Sequence, residues 1–255
     1  MFTTASAYER FMGRWSRKLA ESFAAFADVG GAARVLDVGC GTGALASAIL
    51  SAYPAAAVTG IDPSVAFVES CRDNYPAARF EVGDVLHLPF DDRSFDASLA
   101  CLVLNFVPSP HEAIAEMSRV TTVGGTIAAA LWDHADGMTM LHAFWEAADK
   151  VDPSRPSGEA QPTLGRDALA TLWSAAGLRE VRLVSLTVEM AFSSFDDYWS
   201  PFSAGQGPAG VYAASLLPED LAAIARILRT RFLGERPDGV FTLHSRAWAI
   251  RGTVA

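Results

Sequence analysis

The chain has 255 residues, 51% of them hydrophobic and 19% charged, with 20 basic and 29 acidic side chains and a net charge of -9. That is length enough for one sizeable core or two small ones, and the acidic balance would repel a phosphate backbone unless the bases were segregated, so no nucleic-acid partner is expected. No uncharged apolar run reaches the ~18 residues of a membrane span, and the first residues lack an export signal's basic flank and apolar block, so a cytoplasmic protein with no membrane partner is expected.

In chain order, Tyr8, Phe11, Met12, Trp15, Leu19, Phe23 and Phe26 recur at helical spacing, which predicts an amphipathic helix over 8–28. Its apolar stripe packs against a sheet, or it forms a lid whose Tyr8, Arg14 and Trp15 touch a ligand. An arginine there suits a carboxylate clamp. From residue 33 onward short apolar runs alternate with helix-like segments. Strands are predicted over 34–38, 57–61, 79–82, 95–102 and 126–132, and helices over 44–53, 65–75 and 112–120. The fold class is therefore α/β, a parallel sheet covered on both faces. Beyond 133 the alternation loosens. A helix over 138–150, a Pro/Ser/Gly-rich stretch over 153–162 and a helix over 165–176 precede two long strands, 178–190 and 240–251. An aromatic, glycine-rich segment and a helix over 218–233 separate those strands.

The chemistry is expected at Val35-Leu36-Asp37-Val38-Gly39-Cys40-Gly41-Thr42-Gly43-Ala44, where a buried strand ends in a glycine-rich turn that opens a helix. Glycines there let a ligand approach the backbone, and the helix start offers free N–H groups. Gly39, Gly41 and Ala44 also satisfy the dinucleotide fingerprint, with Asp62 about 20 residues on, so a nicotinamide-dependent oxidoreductase is the rival reading. A short-chain dehydrogenase would want Tyr followed four residues later by Lys. The chain's only lysines, Lys18 and Lys150, do not supply it. Cys40, Cys71 and Cys101 have no C-x-x-C spacing and imply neither a disulfide framework nor a metal site. Cys40 reads as a small residue packed in the turn, since nothing beside it would lower its pKa.

The segment 35–43 resembles the first motif of class I S-adenosylmethionine-dependent methyltransferases, D-x-G-x-G-x-G. Gly60-Ile61-Asp62-Pro63-Ser64 resembles that family's acidic turn after the second strand. Gly83-Asp84-Val85 with Leu88-Pro89-Phe90 and Ser94-Phe95-Asp96 is similar to its G-D-a-x-x-L-P-F…S-F-D segment, and Ser118-Arg119-Val120 with Gly124-Gly125 to its helix exit. The N-terminal Tyr8 to Ser16 stretch and Leu88-Pro89-Phe90 look most like the ubiquinone/menaquinone C-methyltransferase-like small-molecule group. DNA amino-methyltransferases fit less well, because Asn105-Phe106-Val107-Pro108 is not an N-P-P-Y loop, and arsenite methyltransferases need a set of thiols.

The resemblance implies a Rossmann-like sheet of seven strands, the last antiparallel and inserted between its neighbours. It implies one domain over 1–255, made of a lid helix (1–32), a cofactor-binding core (33–133) and cap insertions with the last two strands (134–255). The implied cofactor is S-adenosyl-L-methionine. Asp37, Gly39, Cys40, Gly41 and Gly43 would meet its methionine part, Asp62, Pro63 and Ser64 its ribose, and Gly83, Asp84 and Val85 its adenine. Cys101 and Leu102 lie nearby, with Tyr8, Arg14 and Trp15 from the lid. A small apolar or aromatic acceptor is expected against Asn105, Phe106, Trp132, Trp145, Trp199 and Phe202, since such a site is aromatic-rich and polar-poor. His134 is the best-placed general base, if one is used. Gly205-Gln206-Gly207-Pro208 forms a flap or an ordinary turn. A non-catalytic cofactor-binding module is the other alternative, and the acceptor atom and oligomeric state are left open.

Overall fold

The structure is a computed structural model that describes residues 9–155 and 164–255. Tyr8 and part of the Pro/Ser/Gly-rich stretch lie outside the described residues. After a π-helical turn, Glu9–Gly13, the elements run α1 Arg14–Ala27, β1 Arg34–Val38, α2 Ala44–Ala52, β2 Ala57–Asp62, α3 Val65–Asn74, β3 Arg79–Val82 and β4 Phe95–Cys101. A 3-10 turn, Leu104–Phe106, then leads to α4 Pro110–Val120, β5 Thr121–Trp132, α5 Thr139–Val151, α6 Arg166–Ala175 and β6 Arg179–Phe192. The chain closes with α7 Phe195–Ser203, α8 Gly207–Ala214, α9 Pro218–Leu233 and β7 Phe241–Thr253.

The seven strands form one sheet in the order β3-β2-β1-β4-β5-β7-β6. β1 runs parallel to β2 and β4, β2 to β3, and β4 to β5, whereas β7 is antiparallel to β5. The chain moves outward from β1 to β3 and then returns to the other side of β1 as β4. The strand order therefore switches between β1 and β4, and the crevice beyond their carboxyl ends is where an α/β sheet of this kind takes a ligand.

Two compact units divide the chain. The larger contains 16–133, 164–186 and 247–255. Its strands feed two apolar layers by simple alternation: Val35, Leu99 and Ala128 join Phe23, Leu45, Ile49 and Val68 in one, while Leu36, Ala100 and Ala129 join Met117, Trp173 and Ile250 in the other. Burial on both faces is why these strands read as unbroken apolar runs. Arg251 on β7 donates from Nη1 to the Phe26 carbonyl oxygen at 2.9 Å, satisfying a C-terminal carbonyl of α1 that the helix itself cannot bond.

The smaller unit contains the described residues 9–15, 134–155 and 187–246. Its core is aromatic: the Phe144 and Phe202 rings stack at 4.8 Å, Phe11 meets Phe202 edge-on at 5.3 Å, and Tyr198 donates its hydroxyl to the Met140 carbonyl oxygen at 2.8 Å.

Several boundaries differ from the sequence expectation, each for a local reason. β5 begins at Thr121, not 126, because Gly124 and Gly125 sit in a strand that shifts register against β4 between Phe95 and Ala97, where a bulge replaces the expected turn. β4 stops at Cys101, one residue early, because Leu102 takes a left-handed backbone conformation at φ 64°. The aromatic, glycine-rich segment folds as two helices. α7 is capped by the Ser194 hydroxyl, which accepts from the Asp197 N–H at 3.1 Å, and α8 starts at Gly207 with Pro208 in its first turn, so only Gly205 and Gln206 of the expected flap lie outside a helix.

Candidate functional site

The glycine turn follows β1 and is held from three sides. Gly39 and Cys40 donate their N–H groups to the Ile61 carbonyl oxygen at 2.7 and 3.0 Å, tying the turn to β2. Gly39, Gly41 and Gly43 all have positive φ, at 68°, 52° and 85°. At two of them packing also forbids a side chain: a Cβ on Gly39 would lie 2.4 Å from the Val103 Cγ2, and one on Gly43 would lie 2.4 Å from the Tyr75 ring. At Gly41 a Cβ would meet nothing within 4 Å, so its surface is open to a ligand.

Gly43 is the N-cap of α2 and offers no capping side chain. Asp37 on β1 substitutes, its Oδ2 accepting the Ala46 N–H at 3.0 Å. That carboxyl is 1% exposed, and burial pushes its pKa up to about 7, opposed by the Ala46 hydrogen bond and reinforced by the Asp62 charge. Asp62, at the end of β2, accepts from the Gly41 N–H through Oδ2 and from the Ser64 N–H through Oδ1, both at 2.9 Å. Burial raises its pKa, and these two bonds work against the rise.

Ser64 in turn caps α3, its hydroxyl accepting from the Phe67 N–H at 3.4 Å. Pro63 is exposed between the two. Gly83 donates to the Asp62 carbonyl oxygen at 3.1 Å, which sets the next turn against β2; there Asp84 is exposed, its Oδ1 accepting from the Leu86 N–H at 3.0 Å, and Val85 is buried. Cys40 is buried with its thiol beside that of Cys71, and this contact together with burial drives its pKa upward; burial does the same at Cys101. Neither thiol presents a thiolate. Asp37, the three glycines, Cys40, Asp62, Ser64, Gly83 and Leu102 thus cluster at the carboxyl edge of the sheet within the larger unit.

The remaining expected residues have different surroundings. Arg14 pairs with Asp197 at 2.9 Å and lies over the Trp15 ring at 4.2 Å, so its charge is already engaged inside the smaller unit. Trp15 is 2% exposed, with its ring 5.2 Å from Phe192. Of the acceptor residues, Asn105 accepts the Leu164 N–H through Oδ1 at 2.8 Å, Phe106 is 71% exposed, and Trp132 is buried with its indole N–H unpartnered. These three belong to the larger unit; Trp145, Trp199 and Phe202 belong to the smaller one. Phe202 is fully buried among rings, whereas Trp145 and Trp199 are half-buried. His134 is half-buried, and its carbonyl oxygen accepts from His142 Nε2 at 2.9 Å. Among the described residues no group of acidic, histidine or cysteine side chains has the arrangement of a metal site.

Sequence reasoning missed the tie that holds the Leu88–Phe90 segment. Arg119 on α4 donates to the carbonyl oxygens of Leu88 and Phe90 at 2.9 and 2.8 Å and forks onto Glu116, which itself accepts the Leu88 N–H at 2.9 Å. Both ends of this contact stood in the motifs, but their pairing across about 30 residues leaves no local signal.

The strand order, the antiparallel β7 between β5 and β6, and a glycine turn locked to an acidic strand end define a Rossmann-like methyltransferase fold. Residues 36–129 match the family model described as a methyltransferase domain. The chain is 33% identical over 155 residues to the malonyl-[acyl-carrier protein] O-methyltransferase of Geobacter sulfurreducens, covering 59% of this chain and 57% of that one. It is 38% identical over 116 residues to the fatty-acid O-methyltransferase of Mycolicibacterium smegmatis, covering 45% and 42% respectively. It thus spans about half the length of these curated relatives. In fold it is similar to the YcgJ protein of Bacillus subtilis (TM-score 0.57, 18% identity, 93% of this chain and 97% of that). It is also similar to a geranyl diphosphate methyltransferase solved with SAM (TM-score 0.55, 18% identity, 95% and 87%).

Proposed function

We propose that this chain is an S-adenosylmethionine-dependent methyltransferase acting on a small apolar or aromatic molecule. The observation that carries the reading is Asp62. Each of its oxygens accepts one backbone N–H, from Gly41 and Ser64, so a fixed carboxylate retains acceptor capacity for a vicinal diol beside an open glycine. The donor set fits the cofactor. Asp62 would take both ribose hydroxyls, Asp84 the adenine amine, and the turn from Gly39 to Gly43 the methionine part.

When bound, the cofactor supplies a sulfonium methyl that carries its own leaving group. The chain's task is then placement and exclusion of water. Asn105, Phe106 and Trp132, all in the larger unit, are the proposed acceptor contacts, and the unpartnered Trp132 indole N–H is a donor still to be satisfied. A small organic acceptor agrees with the names of the relatives, which include a fatty-acid and a demethylmenaquinone methyltransferase.

Thermal melting with S-adenosylhomocysteine against NAD tests the cofactor: stabilisation by the former alone is expected, and stabilisation by NAD alone would overturn the reading. Methyl-labelled donor offered with quinols, phenols, thiols and fatty acids tests the acceptor class.

A further inference from the structure

Leu102 is out of place in conformational terms. Among the described residues four besides glycine have positive φ: Asp28, Arg93, Glu180 and Leu102. The first three are exposed, Asp28 and Arg93 in turns and Glu180 near the start of β6. Leu102 is half-buried and carries a bulky side chain at φ 64°, a region such residues rarely enter. Strain of this kind persists only where the surroundings impose it, and it concentrates at functional sites.

The surroundings that impose it are visible. The Leu102 N–H donates to the Ala130 carbonyl oxygen at 2.7 Å, extending the β4–β5 ladder by one bond, and immediately afterwards the chain turns. Val103 then has right-handed helical dihedrals and starts the 3-10 turn, its carbonyl oxygen accepting from the Phe106 N–H at 2.8 Å. The result is that both Val103 methyls lie against the Cα of Gly39, 2.4 and 2.9 Å from where a Cβ would stand. Without the left-handed residue, an extended strand would carry residue 103 past the glycine turn.

We infer that Leu102 is a positioning residue whose left-handed backbone, and not its side chain, seats Val103 on Gly39 and so fixes the glycine turn for its ligand. The inference rests on the methyltransferase reading. It assigns the strain a role in pre-organising the cofactor site, since a turn held in one shape loses less freedom on binding.

The test exchanges side-chain bulk against backbone tolerance. Leu102→Val keeps apolar bulk but is β-branched and resists positive φ; Leu102→Asn and Leu102→Gly lose the bulk and accept it. S-adenosylhomocysteine affinity is measured by calorimetry on the full chain, with melting of the ligand-free protein as the folding control. Leu102→Val is expected to bind about tenfold or more weakly, and Leu102→Asn and Leu102→Gly within about threefold of the parent. The opposite order, or folded Asn and Gly variants that both lose tenfold, would overturn the inference. Those two variants decide the matter even if the valine variant does not fold. Absence of binding by the unaltered protein would instead sink the methyltransferase reading, and the inference with it.

Discussion

Arg119 donates from Nη2 to the carbonyl oxygen of Leu88 at 2.9 Å, joining α4 to the segment that runs from β3 to β4. With the Phe90 carbonyl and Glu116 on the same guanidinium, the contact is a shared anchor and not a surface ion pair. Replacing Arg119 by alanine leaves two carbonyls and the Glu116 and Asp92 carboxylates without this donor, a cost of about 2–3 kcal/mol. For a chain of this size that is a fall of roughly 4–10 °C in Tm. A lysine, unable to fork, should recover only part of it. Calorimetric melting of the two variants checks both.

Gly41 and Gly43 should respond differently to alanine. At Gly43 the new Cβ collides with Tyr75 in addition to the φ penalty, so the fold is expected to lose about 2–3 kcal/mol or more. At Gly41 only the φ penalty of about 1 kcal/mol applies, while the methyl group enters the open side of the turn. Gly41→Ala should therefore melt close to the parent yet bind S-adenosylhomocysteine at least about tenfold more weakly. Melting and binding read on the same preparations separate the two effects.

Asp37 makes stability depend on pH in a defined direction. Its folded pKa of about 7 lies above the ordinary carboxylate value, so the folded state favours the protonated form. This contribution is fully present below about pH 4 and is lost as pH rises toward about 7, by on the order of a few kcal/mol. Asp96, Glu116 and Asp197 are held low by arginines and contribute with the opposite sign, so the comparison must be with Asp37→Asn. Denaturant unfolding from pH 4 to 8 should show the difference between the two proteins growing in favour of the asparagine variant as pH rises. A constant difference would show that Asp37 does not titrate in this range.

The sequence suits Arg14 to a ligand's carboxylate, and its pairing with Asp197 predicts a smaller role. Arg14→Ala should lower stability by about 1 kcal/mol, the pair being about a third exposed, and leave S-adenosylhomocysteine affinity within about twofold. Titration calorimetry on this variant checks the prediction; a tenfold loss would show that the Asp197 pair does not exhaust the role of Arg14.

The parallel core was legible because its signals are local. Residues one apart on β1, β4 and β5 go to opposite apolar layers, and the turn's glycines, Asp62 and Ser64 announce themselves by spacing alone. What stayed hidden depends on distant partners: the Asp37 carboxyl standing in for a helix cap, the Arg119 anchor, and the left-handed Leu102. The aromatic residues beyond 190 show the complementary limit. Ring density suggests a binding wall equally well as a core, and only burial separates Phe202, which is fully enclosed, from Phe106, which is 71% exposed.

Asp62, fixed on the glycine turn, is proposed to hold the ribose of S-adenosylmethionine. Titration calorimetry of S-adenosylhomocysteine against the parent and Asp62→Asn, with NAD run in parallel, decides this role. The parent is expected to bind S-adenosylhomocysteine and to give no heat with NAD, and the folded asparagine variant to bind about tenfold to a hundredfold more weakly, as for removing a charge-assisted acceptor pair. Equal affinity in parent and variant, or binding of NAD in place of S-adenosylhomocysteine, would contradict it.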